Sequence, residues 1–240
     1  VVVLDVNDFS VLCAQSYPNY DLDKYMNDPQ YREDLLLNKD GQNAMWNRCF
    51  WQGYPIGSAM KPAVALAALQ EGVIDTSTQF RCGYTYYNAD MPDFHPLCMG
   101  THGYLNVIEA LTVSCNIFFY DTGYNLGIDN MNLYQRKLGL GELTGVEIYE
   151  SDGTLAGPDE KEDWYGGDTI MAAIGQSDNL ITPVQLATYA ATIANNGTRL
   201  RTHVVDKITD YSRQTVLEET KPEVVEENIF DQEVLETVKG

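Results

Sequence analysis

The sequence predicts a single domain with an α/β (α+β) layered fold. Strand-like apolar runs and helical patterns mix along its 240 residues, and no internal repeat, low-complexity tract or linker rich in proline and serine separates them. Hydrophobic residues make up 44% of the chain, which is enough to build a core and argues against disorder. We therefore expect residues 1–240 to fold as one mixed domain.

The first predicted element is a hairpin. Val1 to Val6 forms an apolar strand, Asn7 to Ser10 a polar turn, and Val11 to Ala14 a second short strand. A polar stretch with glycine and asparagine interruptions follows as far as Arg48. We expect this stretch to be an excursion on the surface.

Two helices have clear sequence signals. One begins after Ser58, runs through an almost wholly apolar segment and ends near Gly72, which can supply a C-terminal cap. The other begins at Thr182-Pro183-Val184-Gln185, which combines an N-cap, a proline at the first helical position and a capping-box glutamine. Asn196-Gly197 is expected to end it.

A further helix and strand are predicted between these two helices. Asp129 can cap a helix that runs through Leu138 and ends at Gly139. Thr144 to Ile148 then has the pattern of a short strand.

The charge of the chain limits its partners. A net charge of -20 repels phosphate backbones and anionic lipid surfaces, so we expect no nucleic-acid binding. The longest apolar run near Ser58, Ala63 to Leu69, is far shorter than the roughly 20 residues needed to cross a bilayer. The chain opens on Val1 without a signal or anchor pattern, and we expect such a segment to lie outside it.

Ser58-Ala59-Met60-Lys61 places a hydroxyl and an amine on one face of a helix. Serine is a poor nucleophile at neutral pH and needs an adjacent base, which a neutral lysine can supply. We expect the positive end of the helix to lower the pKa of Lys61. The spacing suits an active serine, although an N-cap serine followed by a surface lysine has the same spacing.

A second polar group interrupts a buried segment. Ser114-Cys115-Asn116 lies between the apolar stretches Ile108 to Val113 and Ile117 to Tyr120, and buried polar groups usually have partners. If these residues are locally extended, Ser114 and Asn116 point to one side and Cys115 to the other.

Together these segments resemble two of the three active-site motifs of the penicillin-binding protein and serine β-lactamase superfamily, which are S-x-x-K, S-D-N and K-T-G. The segment from Tyr54 to Pro62 is similar to the nucleophile segment of that family, and His102-Gly103 is similar to the approach to its second motif. Three later segments look like the class B, elongation-type transpeptidases of Gram-positive, clostridia-like bacteria: Trp164 to Thr169, Ile174-Gly175-Gln176 and Thr182 to Leu186.

The resemblance implies a penicillin-binding protein transpeptidase fold, with helices packed on an antiparallel sheet, and a peptidoglycan D,D-transpeptidase. Ser58 is then the nucleophile on a D-Ala-D-Ala stem peptide and the target of β-lactams, and Lys61 is its base. Ser114 relays the proton to the leaving group, and Asn116 binds the substrate amide and orients Lys61. No catalytic cofactor is implied. The implied surroundings are an extracytoplasmic, membrane-anchored protein and a glycosyltransferase of the elongation complex as partner.

The sequence also departs from the family pattern. Ile56 separates Pro55 from the glycine before the serine, and Pro62 disfavours helical geometry at Lys61. No K-[ST]-G is present, so we expect the third motif and the last strands to lie beyond residue 240 and the isolated chain to acylate slowly or not at all. Two alternatives remain open: a β-lactamase or D,D-carboxypeptidase that hands the acyl group to water, and a non-catalytic scaffold or antibiotic sensor.

The five cysteines cannot all pair within the chain, since their number is odd. Cys82, Cys98, His102 and Cys115 have ligand-like types and spacing, and three thiolates with an imidazole make a closed tetrahedral zinc site. The alternative is a Cys82 to Cys98 disulfide with Cys115 buried. A structural zinc ion at this position could tie residues 82 to 102 to the back of the Ser114 segment.

Overall fold

A buried helix that begins at Lys61 lies at the centre of the computed structural model, which describes residues 1–240. Residues Ala63 to Ala68 of this helix are all buried. The helix can be buried on every face because its own side chains there are all apolar. Nine α-helices are present: α1 Leu22–Asn27, α2 Pro29–Leu36, α3 Lys61–Gln70, α4 Val107–Thr112, α5 Asn116–Leu126, α6 Ile128–Lys137, α7 Gly166–Ala172, α8 Pro183–Ala194 and α9 Gln232–Lys239.

Eight short strands pair as four separate two-stranded antiparallel sheets, β1 with β2, β3 with β4, β5 with β8 and β6 with β7. The predicted combination of helices with antiparallel strands is confirmed. The strands are β1 Val2–Leu4, β2 Val11–Ala14, β3 Phe80–Cys82, β4 Gly103–Leu105, β5 Arg199–Leu200, β6 Lys207–Thr209, β7 Val216–Glu219 and β8 Val224–Glu226.

Helices α3, α5, α6, α7 and α9 pack around one large core, and α8 packs against the N-terminal hairpin. The core includes Met60, Leu66, Phe118, Phe119 and Leu138, all fully buried. The two helices that carry the polar motifs, α3 and α5, are direct neighbours. Their packing brings two distant segments of sequence together.

Several predicted elements are confirmed. The N-terminal hairpin forms, α3 ends just before Gly72 with its positive φ of 65°, and α8 begins with the full capping box of Thr182 and Gln185. The stretch up to Arg48 lies at the surface, where it contains the exposed helices α1 and α2. No helix combines the length and apolar character that crossing a membrane requires.

Two local predictions are wrong. Helix α6 begins at Ile128 with Gly127 as its N-cap, so Asp129 lies within the first turn instead of capping it. Thr144 to Ile148 forms no strand. In that segment Glu150 accepts hydrogen bonds from the Thr144 hydroxyl and the Gly145 amide, and Gly145 has a φ of 85°, so the backbone turns where a strand would extend.

Candidate active site

Ser58 lies on a tight turn that leads into α3. Residues Gly57 to Met60 form a 3₁₀ turn, and Gly57 enters it with a φ of 58°. Lys61 keeps helical dihedral angles, φ -56° and ψ -39°, despite the proline that follows. Pro62 falls in the first helical turn, where its missing amide hydrogen has no partner to lose. The turn therefore tolerates Pro62, and Ser58 remains exposed.

The side chain of Lys61 joins the first motif to the second. Its Nζ donates to the Ser114 carbonyl at 2.7 Å, to Ser114 Oγ at 2.9 Å and to Asn116 Oδ1 at 2.7 Å. Three acceptors match the three hydrogens of an ammonium group. Lys61 is 2% exposed, and its Nζ also lies 5.7 Å from the centroid of the Phe119 ring.

The backbone of the second motif differs from the prediction, although the side chains point as expected. The segment is not extended: Ser114 has a φ of 52°, Cys115 has φ -68° and ψ 114°, and Asn116 opens α5. Ser114 and Asn116 both face Lys61, whereas Cys115 is fully buried and faces Cys98. A left-handed residue followed by the start of a helix therefore directs the Ser114 and Asn116 side chains to one side and the Cys115 side chain to the other, as an extended segment was expected to do.

Burial lowers the pKa of Lys61 to about 8, and negative charge on Cys98 and Cys115 opposes that shift. The direction agrees with the prediction, but its largest cause is burial and not the helix end. A lysine with this pKa is neutral in about a tenth of molecules at pH 7. Such a lysine can accept a proton from a nearby hydroxyl.

Asn116 is held on two sides. Its Oδ1 accepts from Lys61, and its Nδ2 donates to the Leu97 carbonyl at 3.3 Å. Leu97 belongs to the loop that also carries Cys98, whose Sγ accepts from the Asn116 amide at 3.3 Å. The loop between β3 and β4 therefore fixes the orientation of Asn116.

Gly175 is a site residue whose role the sequence did not show. Its carbonyl accepts from the Gly57 amide at 3.0 Å, and its φ is 70°. A Cβ at Gly175 would lie 2.2 Å from the Gly57 carbonyl oxygen, so only glycine allows this approach. The glycine in Ile174-Gly175-Gln176 was the available signal, but its partner is distant in sequence.

The structure brings Cys82, Cys98, His102 and Cys115 together, with one ligand atom from each within 4.8 Å of the others. The Nδ1 atom of His102 lies 3.4 Å from Cys82 Sγ and 3.6 Å from Cys98 Sγ, and Cys98 Sγ lies 3.9 Å from Cys115 Sγ. Tetrahedral zinc with ordinary bond lengths separates such ligands by about 3.5 to 3.8 Å. All five cysteines are free in the structure. The choice between a zinc site and a Cys82 to Cys98 disulfide stays a prediction.

Two of the clustered thiols have shifted pKa values. Burial raises the pKa of Cys115 to about 12. Burial also acts to raise the pKa of Cys98, but hydrogen bonds from the amides of Gly100, Ile117 and Asn116 outweigh it and lower the pKa. Helix α5 thus presents amide groups to a sulfur that is ready to carry negative charge.

The site contains an exposed serine, a buried lysine three residues later and a serine-asparagine pair bound to that lysine. These are the groups that acyl transfer through an active serine uses. Comparison with known proteins gives the family. The family described as "Penicillin binding protein transpeptidase domain" matches residues 1–240. The chain belongs to this family.

Individual relatives agree with that assignment. A peptidoglycan D,D-transpeptidase MrdA of Haemophilus influenzae is 33% identical over 215 residues, which cover 87% of this chain and 33% of the relative. The crystal structure of Pseudomonas aeruginosa PBP2 in complex with WCK 5153 superposes with a TM-score of 0.83 and 26% identity, covering 99% of this chain and 54% of that one.

A third similar structure is described as "Structural coordination of polymerization and crosslinking by a peptidoglycan synthase complex". It has a TM-score of 0.85 and 29% identity and covers 99% of this chain and 40% of that one. The chain spans about a third of the length of the curated relatives it matches. The expected clostridia-like origin stays a prediction.

Proposed function

We propose that this chain is the nucleophile-bearing part of a peptidoglycan D,D-transpeptidase domain. The observation that carries the proposal is the contact of Lys61 Nζ with Ser114 Oγ and Asn116 Oδ1, which unites the two motifs around one buried amine. Membership in the transpeptidase family and the MrdA relatives support it.

The side chains assign the steps of the reaction. Neutral Lys61 takes the proton of Ser58, and Ser58 Oγ attacks the carbonyl of the penultimate D-alanine. Ser114 passes a proton to the nitrogen of the terminal D-alanine, which leaves as the amide bond breaks. An amine from a neighbouring stem peptide then attacks the acyl-serine and releases the cross-linked product. Asn116 holds the substrate amide and keeps Lys61 in place.

An assay in which an amine and water compete for the acyl group tests this proposal with the full-length gene product. A D-Ala-D-Ala pentapeptide is supplied with a labelled amine acceptor, and D-alanine release and labelled product are measured together. We expect both to form with the natural protein and both to vanish in Ser58→Ala. Release without transfer to the amine indicates a carboxypeptidase or β-lactamase reaction with water, and absence of both products indicates a non-catalytic scaffold or sensor.

We propose in addition that Cys82, Cys98, His102 and Cys115 hold a structural zinc ion. Their separations fit tetrahedral ligation, and Cys82, Cys98 and Cys115 are buried. Cys115 lies between Ser114 and Asn116, so a metal there ties the loop between β3 and β4 to the back of the second motif. No cofactor takes part in catalysis under this proposal.

Metal analysis of protein purified without added zinc tests this site. We expect one zinc ion per chain in the natural protein and in Cys13→Ser, whose cysteine is exposed and outside the cluster. Cys82→Ser is expected to lose most of the metal. Absence of stoichiometric metal, or a Cys82 to Cys98 disulfide found by mass spectrometry, contradicts the proposal.

The proposed reaction also implies a location and a partner for the protein. Stem peptides are cross-linked outside the cytoplasmic membrane, so we propose that this domain lies on the extracytoplasmic face of an anchored protein. A glycosyltransferase that polymerises glycan strands supplies the substrate and is the proposed partner. The similarity to a synthase complex that couples polymerisation to cross-linking supports this pairing.

A further inference from the structure

The hydroxyl of Tyr189 reaches from α8 into the turn that carries Ser58 and Lys61. Tyr189 is 4% exposed, and its Oη donates to the Ala59 carbonyl at 3.1 Å. Ala59 lies between the serine and the lysine, 130 residues away in sequence from Tyr189. This is a direct contact between a buried polar side chain and the backbone of the active-site turn.

The hydrogen-bonding pattern of the turn shows why the Ala59 carbonyl is available to Tyr189. Hydrogen bonding changes at this point from the 3₁₀ pattern of Gly57–Met60 to the α pattern of α3. The Ser58 carbonyl accepts from the Lys61 amide, because Pro62 has no amide hydrogen to offer. The Ala59 carbonyl accepts from Tyr189 instead. A side chain that donates to a carbonyl at such a junction takes the place of the helical amide that would otherwise bond it.

The surroundings of the phenol are consistent with this placement. Burial raises the pKa of the Tyr189 hydroxyl, while a hydrogen bond from the Ala63 amide acts in the opposite direction. The phenol therefore remains a neutral donor between Ala59 and Ala63, one turn apart in the helix.

Helix α8, which carries Tyr189, is fixed at its N-terminal end by hydrogen bonds. Thr182 and Gln185 form its capping box and are fully buried. Gln185 Nε2 also donates to the carbonyls of Glu142 and Asp152, at 2.8 Å and 2.6 Å. The start of α8 is thus tied to two other segments, and Tyr189 lies one turn further along the helix.

We propose that Tyr189 is a positioning residue that holds the Ser58–Lys61 turn in its 3₁₀ geometry through the Ala59 carbonyl. It acts on the direction of the Ser58 hydroxyl without touching substrate. The proposal rests on the proposed function, because it concerns the same acylation site.

Tyr189→Phe removes only the hydroxyl, and Tyr134→Phe is the matched control. Tyr134 is also buried, and its hydroxyl donates to Glu71 Oε1 at 2.6 Å, at the far end of α3. Both variants are made in the full-length gene product. Hydrogen exchange of the peptide that covers residues 57–63 is followed by mass spectrometry, and acylation by a labelled penicillin is followed under saturating and subsaturating conditions.

In Tyr189→Phe we expect faster exchange of this peptide and an acylation step about fivefold slower, with the dissociation constant of the preceding complex unchanged. Tyr134→Phe is expected to match the natural protein in both measurements. A third variant, with 3-fluorotyrosine at position 189, keeps the hydroxyl as a stronger donor and should match or slow the natural exchange.

The two proposals fail in different ways. Absence of labelling in the natural protein contradicts the proposed function, while the exchange measurement still tests Tyr189. Natural labelling together with unchanged exchange and an unchanged acylation step in Tyr189→Phe overturns the positioning role. If Tyr189→Phe does not fold, exchange faster than natural in the fluorotyrosine variant overturns it.

Discussion

Lys61 is the residue on which both motifs depend. Its ammonium group has three acceptors from the Ser114 segment, and burial brings its pKa to about 8. The hydrogen bonds hold the amine in one position, and the lowered pKa makes deprotonation accessible. Position and proton affinity therefore have separate structural causes.

The pKa of Lys61 predicts the pH dependence of acylation. Because the neutral amine is the base, the acylation rate should rise with pH, reach half its maximum near pH 8 and level off above that. The measurement is the rate of labelling by a penicillin, in the full-length gene product, across this range. A rate that falls as pH rises through 8 contradicts the role of neutral Lys61.

Removal of the amine gives a second prediction for this residue. Lys61→Gln should slow acylation by roughly a hundredfold or more, since general-base catalysis is worth at least that factor. Lys207→Gln, which removes an exposed lysine on β6, should acylate at the natural rate. Equal rates in the two variants would show that Lys61 takes no part in proton transfer.

The types and spacing of the four site residues were visible in the sequence, but the backbone at Ser114 was not. A serine with φ of 52° has no local signal, because the left-handed region is rarely used outside glycine and asparagine. Ser114 follows the end of α4, where its amide donates to the Leu111 carbonyl at 3.1 Å and the next amide donates to the Ala110 carbonyl at 2.9 Å. The Ser114 carbonyl and hydroxyl also accept from Lys61, 53 residues earlier in the chain. The hydroxyl of Tyr189 and the approach of Gly175 to Gly57 depend on partners that are still further away in sequence.

The elements that carry the motifs are held by close helix packing. Gly123 in α5 faces Ala173 at the end of α7, and a Cβ at Gly123 would lie only 2.3 Å from the Ala173 Cβ. Two helices can come this near only where one of them lacks a side chain. The position of α5, and with it that of Asn116, follows from this crossing.

Gly123→Ala should therefore destabilise the fold. We expect the free energy of unfolding in urea to fall by about 1 to 3 kcal/mol, since overpacking exceeds the gain of roughly 1 kcal/mol in helix propensity. Gly83→Ala is the control, because an added Cβ there meets no atom within 4 Å. Equal or greater stability of Gly123→Ala would mean that α5 and α7 are not this close.

Predictions of elements succeeded where the signal was local. The capping box of α8 lies within four consecutive residues, and α3 is apolar on all sides. The strand at Thr144 to Ile148 failed because side-chain bonds from Glu150 bend that segment. Asp129 failed as a cap because Gly127, with φ of 79°, already starts the helix.

The charge of the whole chain gives a further prediction. A net charge of -20 repels itself, and the six ion pairs of the structure lie mostly at its surface. Raising NaCl from about 20 to about 200 mM should raise the melting temperature, because salt shortens the range of the repulsion. The increase should shrink near pH 4, where about half of the carboxylates lose charge. A melting temperature that falls with salt contradicts this.

The family of the whole domain was predictable because its motifs lie in short segments spread from Tyr54 to Leu186. The pairing of the strands was less predictable, since each strand is only two to four residues long and pairs with a single neighbour. Short strands carry little periodic signal. Their pairing depends on the helices that bring them together.

The site of acylation is the most direct measure of whether Ser58 is the nucleophile. The full-length gene product is incubated with a labelled penicillin, and the modified peptide is identified by mass spectrometry. We predict one adduct per chain on Ser58 and none in Ser58→Ala. An adduct on another residue, or labelling that persists in Ser58→Ala, would contradict this assignment.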